Sequence, residues 1–226
     1  MTLKLKHNYI LLTVALCALI MGLVDGVLQP GYAVKSAVKI FLFLGAPAGY
    51  LLLDKAAGKD LLSLFRPRPR DLLIAGGLGL GVLALILGGY FLLREPLGID
   101  QLALTLTANS GVDRDNFLWV SLYICFVNSL LEEILFRGFA FITLKRHTGR
   151  AFAYCFSALT FAVYHLGMFT GSALPIVLLA TAALFAAGCA LDFLNEKSGN
   201  IYVSWLVHLC ANLGINTVGY IVFGMI

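Results

Sequence analysis

The stretch LLEEILFRGFAF, residues 130–141, sets Glu132, Glu133 and Arg137 inside an otherwise apolar run. Glu133 and Arg137 stand four residues apart, so on a helix a carboxylate and a guanidinium can pair along one face and offset each other's burial. Glu132 points about 100° away from Glu133, as the 3.6-residue period requires. It is the carboxylate that this pairing leaves free, although a guanidinium has donors enough to touch both.

Two later stretches add polar groups of matching chemistry. FAVYHLGMF carries His165, with Phe161 one turn before it on the same face. HLCANLGIN carries His208 and Asn212, again four apart, which sets an imidazole beside an amide, and Asn216 follows one turn on. A carboxylate next to an imidazole can take a proton from water, and a second imidazole with an amide can donate hydrogen bonds to an oxyanion. That combination suits hydrolysis of a carbonyl compound such as a peptide bond.

Other readings of the same residues stay open. Glu132, His165 and His208 match the ligand set of some catalytic zinc sites. The H-E-x-x-H helix is absent, so such ligands would have to come from separate helices. A serine hydrolase is less attractive, because Ser129 has no G-x-S-x-G elbow around it; Ser129 or Asn128 is expected to support the carboxylates. Glu133 and Arg137 could simply lock their helix to its neighbours, and the histidines and asparagines could be polar glue between helices.

Composition sets the elements that must carry these groups. The 226 residues are 60% hydrophobic and only 12% charged. Their mean hydropathy is +0.92, and a soluble domain is about a quarter charged. This predicts an all-α, polytopic membrane protein, a single membrane domain over residues 1–226 with no polar block left for a soluble one. Apolar runs at residues 9–24, 37–53, 72–93, 117–144, 151–169, 174–194 and 200–222 give about seven transmembrane helices. The first run follows Lys4, Lys6 and His7, but no A-x-A cleavage site follows it, so it is read as a retained span.

With the N-terminus inside, the inner segments carry Lys4, Lys6, Lys55, Lys59, Arg66, Arg68, Arg70, Lys145, Arg146, Arg150 and Lys197. The outer ones carry Lys35, Lys39, Arg94 and Arg114. The asymmetry predicts an N-in, C-out topology. It leaves Arg137 as the basic residue that loop placement does not explain. The net charge of +4 sits in short loops and is no nucleic-acid signature. Five scattered cysteines without a C-x-x-C pair read as reduced and buried.

The segments between spans have simpler expectations. DKAAGKDLLSLFRPRPRD, residues 54–71, reads as a stiff, solvated, orienting cationic loop facing anionic headgroups. In residues 94–116 the apolar LALTL is suited to lie along the interface. Gly77 and Gly81 offer close helix approach, and Trp119 and Trp205 read as interfacial anchors.

Depth ties the polar groups together. At 1.5 Å per residue from Lys145, Arg150 and Lys197, Glu132, His165 and His208 lie roughly 20, 22 and 17 Å into the membrane. Separate helix-gluing contacts need not share a level, whereas one watered site built from facing helices must.

The motifs EEILFR, FAVYH and HLCAN, in that order, resemble the CPBP (Abi) family of CAAX-processing and bacteriocin-processing intramembrane proteases. The family pattern is E-E-x-x-x-R, F-x-x-x-H and H-x-x-x-N, and the chain satisfies each without substitution. The resemblance covers residues 115–220, with Gly138 continuing the first motif. It implies an intramembrane endopeptidase related to the type II CAAX prenyl endopeptidases, in a bacterial cytoplasmic membrane. Glu132 and His165 would activate water, His208 and Asn212 would form the oxyanion site, and Glu133, Arg137 and Phe161 would organise it. It further implies a glutamate mechanism without a required cofactor, zinc being the alternative. The expected partners are the lipid bilayer and a membrane-associated substrate: a prenylated CAAX protein, a peptide pheromone, a bacteriocin leader or a sorting tail. A non-catalytic scaffold or immunity protein of the same fold is the competing function; a transporter or proton relay ranks lower because no internal repeat is evident.

Overall fold

The computed structural model describes residues 2–54 and 61–226, and every regular element among them is helical. Lys55 and Lys59, counted above among the inner basic residues, lie outside the described residues. Three long helices come first: α1 (Leu3–Leu28), α2 (Tyr32–Leu53) and α3 (Pro69–Leu97). A short α4 (Ile99–Asn109) follows. Four long helices complete the fold: α5 (Phe117–Thr143), α6 (Arg150–Phe169), α7 (Leu174–Ser198) and α8 (Ile201–Val222). The 7 long ones are long and apolar enough to cross a membrane, so the protein is an integral, multi-pass membrane protein.

Local chemistry sets where several helices begin and end. Thr2 caps α1 through a hydrogen bond that its Oγ1 accepts from the Leu5 amide at 3.3 Å, so that helix starts well before the apolar run. Pro69 sits in the first turn of α3, where its missing N–H costs nothing. Gly98 (φ +57°) and Gly199 (φ +63°) end α3 and α7 in the left-handed conformation that a side chain would disfavour.

Burial separates the centre from the rim. In the most apolar stretch of α5 50% of the residues are buried, against 11% in the same stretch of α3 and of α7, so α5 is the axis and the other two face lipid. Phe136 of α5 packs edge-on against Phe43 of α2 at 5.7 Å and Phe161 of α6 at 5.4 Å between ring centroids. Such pairs add about 0.5–1.5 kcal/mol beyond area burial. This matters where lipid removes the hydrophobic drive between helices.

Several expectations change. The close approach of α3 to α8 is made by Gly79, where a Cβ would stand 2.7 Å from Cys210 Sγ, while nothing lies within 4 Å of a Cβ at Gly77 or Gly81. Two residues, roughly 200° of rotation, put Gly79 on the opposite face from either. Trp119 is 71% exposed, as an anchor would be. Trp205 instead turns inward and donates its indole N–H to Ser129 Oγ at 3.0 Å.

Residues 55–60 of the cationic loop lie outside the described residues, and the part that follows is docked. Asn200 donates to the Arg66 carbonyl at 2.9 Å, and Arg68 bonds to the Ser198 carbonyl and to Asp71. On the same side Glu196 of α7 accepts from Lys145, Arg150 and Tyr154 at 2.7–2.9 Å, clamping α7 to the start of α6. The LALTL segment forms α4. Its last residue, Asn109, donates to the Thr170 carbonyl at 2.8 Å and accepts from Lys35 at 3.2 Å.

Candidate active site

The site is built on α5, which is not a uniform α-helix. Residues Ile124–Asn128 and Glu133–Thr143 are wound as π-helix, with Ser129–Glu132 as a single α turn between them. The wider π turns shift the facing of every residue that follows, a device concentrated at functional sites. Both glutamates sit at the second junction, fully buried.

The two carboxylates point to different partners. Glu132 Oε1 accepts from Asn128 Nδ2 at 2.8 Å and from the Tyr164 hydroxyl at 3.0 Å, with Lys39 Nζ at 3.5 Å. Its other oxygen, Oε2, faces His208 Nε2 at 3.6 Å and His165 Nε2 at 3.9 Å. Glu133 Oε1 instead accepts from His208 Nδ1 at 2.8 Å.

Each histidine is therefore oriented from behind. His165 Nδ1 bonds to the Phe161 carbonyl at 2.7 Å, a bond only its N–H can make, which leaves the Nε2 lone pair toward Glu132. The Phe161 ring stacks edge-on against His165, with centroids 4.7 Å apart. His165 itself lies at the break where α6 tightens from α-helix into the 3-10 turn His165–Phe169. The imidazoles keep 15% and 10% side-chain exposure, against 2% for Glu132.

Arg137 lies 3.6 Å from Glu133 Oε1, as the four-residue spacing predicts, and 3.7 Å from Asp192 of α7. These separations exceed hydrogen-bond reach. Charge holds the guanidinium, together with the Phe161 ring, whose centroid is 4.1 Å away. Asp192 is in turn bonded by Ser157 at 3.0 Å.

Asn212 is placed differently from its two neighbours in chemistry. Among the described residues it makes no hydrogen bond to Glu132, His165 or His208. Its amide donates to the Ile124 carbonyl at 3.3 Å, at the first π stretch. One N–H of the amide stays uncommitted by that bond. Asn216 ties the same helices through the Ser121 carbonyl at 3.3 Å. Of the two supports expected beside the carboxylates, Asn128 bonds Glu132, whereas Ser129 donates to the Cys125 carbonyl at 2.5 Å.

The ligand atoms of a zinc centre would lie about 2.0–2.2 Å from a common point. Among the described residues no three His, Cys, Asp or Glu side chains are so disposed. The Lys39 ammonium also occupies the Oε1 side of Glu132.

Sequence reasoning missed Lys39, Tyr164 and Asp192. Lys39 counted as an outer charge, yet its side chain is only 13% exposed and it lies within α2. The signal was its position at the head of the apolar KIFLFLG. Tyr164 stands beside His165, and a buried tyrosine hydroxyl needs a partner. Asp192, inside a span, needed a cation as Arg137 needed an anion.

Residues 114–214 match the family model described as type II CAAX prenyl endopeptidase Rce1-like. They include Glu132, Glu133, Arg137, His165, His208 and Asn212. No curated protein and no solved structure matches the chain.

Proposed function

From the match of residues 114–214 to the Rce1-like family model of type II CAAX prenyl endopeptidases, we propose that the protein hydrolyses a peptide bond by a glutamate-activated water. The observation that carries the reading is the approach of two imidazole Nε2 atoms, from α6 and α8, to the same oxygen of Glu132 at 3.9 and 3.6 Å. Both gaps are too long for a direct bond, and a water set to one side of them could bond the carboxylate oxygen and an imidazole nitrogen together.

In this reading a water bonded to both Glu132 Oε2 and His165 Nε2, and lying beside the line that joins them, gives its proton to Glu132 as its oxygen attacks the carbonyl carbon. His208, doubly protonated with its Nδ1–H on Glu133, donates its Nε2–H to the developing oxyanion together with the free N–H of Asn212. The tetrahedral intermediate then collapses: the C–N bond breaks, and the proton held by Glu132 passes to the leaving amine. Products are a new carboxylate and a new amine. Arg137, Phe161 and Asp192 hold Glu133 and the α5–α6–α7 contacts, and no residue needs a metal to act.

The substrate class we favour is a membrane-associated peptide or protein, and the setting a bacterial cytoplasmic membrane. A buried site walled by helices suits a segment that reaches it from lipid. Purified protein in liposomes is offered two peptides, alike except that one carries a farnesyl group on a cysteine three residues from its end, and mass spectrometry seeks a new C-terminus. Cleavage that persists in strong chelator supports the reading. Recovery of both peptides intact contradicts it, and cleavage abolished by chelator would return the zinc alternative.

A further inference from the structure

Lys39 is an ionisable residue near the site that the proposed chemistry does not use. It lies in α2, outside the family-matched segment, at the level of Glu132. An ammonium within a span is costly unless it meets an anion or a cavity. Its Nζ donates to Asn128 Oδ1 at 2.5 Å and lies 3.5 Å from Glu132 Oε1. It also sits over the Tyr164 ring at 4.9 Å and the Phe43 ring at 5.9 Å, two faces that attract a cation.

The charges around it are otherwise matched. Arg137 lies between Glu133 and Asp192. Lys35 lies 3.7 Å from Asp25 of α1. Among the described residues Lys39 is then the lysine or arginine within ion-pair distance of Glu132. Its partner Asn128 also donates to Glu132 Oε1, so ammonium, amide and carboxylate form one closed set with the Tyr164 hydroxyl.

We propose that Lys39 is a positioning residue: with Asn128 and Tyr164 it saturates Glu132 Oε1, so that Oε2 alone is left facing the two histidines. The carboxylate thereby has one rotamer and one reactive oxygen, and its charge is balanced from α2, an element that the family motifs do not include. This inference rests on Glu132 being the base, so its test has one arm that needs no catalysis.

The first arm measures kcat and KM on the farnesylated peptide in liposomes. Lys39→Met should lower kcat about 100-fold with KM changed less than about twofold, as misplacement of a reacting group does, and Lys39→Arg should recover most of the loss. An unchanged kcat, or an arginine variant no better than methionine, overturns the inference. The second arm measures thermal midpoints of Lys39→Met in the parent and in a Glu132→Gln background. The expected result is a clear loss in the parent and none, or a gain, beside the neutral amide; equal losses overturn the inference. Should Glu132→Gln cleave normally, the base assignment fails, while the second arm still reports on Lys39.

Discussion

His208 Nδ1 and Glu133 Oε1 meet at 2.8 Å across the contact between α8 and α5. That bond turns the Nε2 of the same imidazole toward Glu132, so two adjacent glutamates act on opposite nitrogens of one ring. Burial of Glu133 is thus tied to the aim of His208 as well as to Arg137.

Glu133→Gln keeps the size of the side chain and can still bond the ring, but it loses the charge that supports an Nε2 proton. We expect kcat to fall about 100-fold with KM little changed, the pattern of an interaction made in the transition state. Steady-state kinetics on the farnesylated peptide would show it; a rise in KM alone would mean that Glu133 only shapes the substrate groove.

Arg137→Leu should act on stability. It strands the charges of Glu133 and Asp192, both fully buried, and breaking such a set by removing one partner costs about 3–5 kcal/mol. Denaturant titration in detergent is the measurement. Adding Glu133→Gln and Asp192→Asn to Arg137→Leu should recover part of the loss, and a merely additive triple variant would refute the charge argument.

Gly79→Ala and Gly77→Ala form a matched pair. The first puts a methyl 2.7 Å from Cys210 Sγ, and the second meets nothing within 4 Å. Overpacking at Gly79 should destabilise by about 1–3 kcal/mol, whereas Gly77→Ala should be neutral or better. Equal midpoints for the two variants would contradict the α3–α8 approach.

His147, in the turn between α5 and α6, accepts or donates at 3.1 Å with the Tyr50 hydroxyl. Burial, with Lys6 beside it, holds its imidazole below the ordinary value of 6.5. The unfolded chain then binds the extra proton first, so this contribution to stability is present above pH 6.5 and is lost as pH falls from there through the folded value. A thermal midpoint that drops between pH 8 and 5 more in the parent than in His147→Gln would agree; identical slopes would not.

How far the sequence alone reached is clearest at the charges. The number of spans follows from apolar runs that lipid requires, and the Glu133–Arg137 pair follows from helical spacing. The common level of Glu132, His165 and His208 follows from counting 1.5 Å per residue from the basic end of each helix. What spacing could not show was contact between helices. Lys39 reaches Glu132 over 93 intervening steps of chain, and Asp192 reaches Arg137 from α7. The π turns of α5 were equally hidden, since no residue type marks them, and they rotate the faces that a regular 3.6-residue period would assign. Gly79 shows the same limit, because a glycine-rich helix offers several faces and the partner chooses one.

The central claim is that Glu132 is the base, and kcat for Glu132→Gln on the farnesylated peptide tests it most directly. The amide is nearly isosteric and can keep the bonds to Asn128 and Tyr164, but it cannot take a proton from water. The account predicts a loss of about 10²–10⁴-fold in kcat in a protein that still inserts and folds. Cleavage at the parental rate by Glu132→Gln would contradict it.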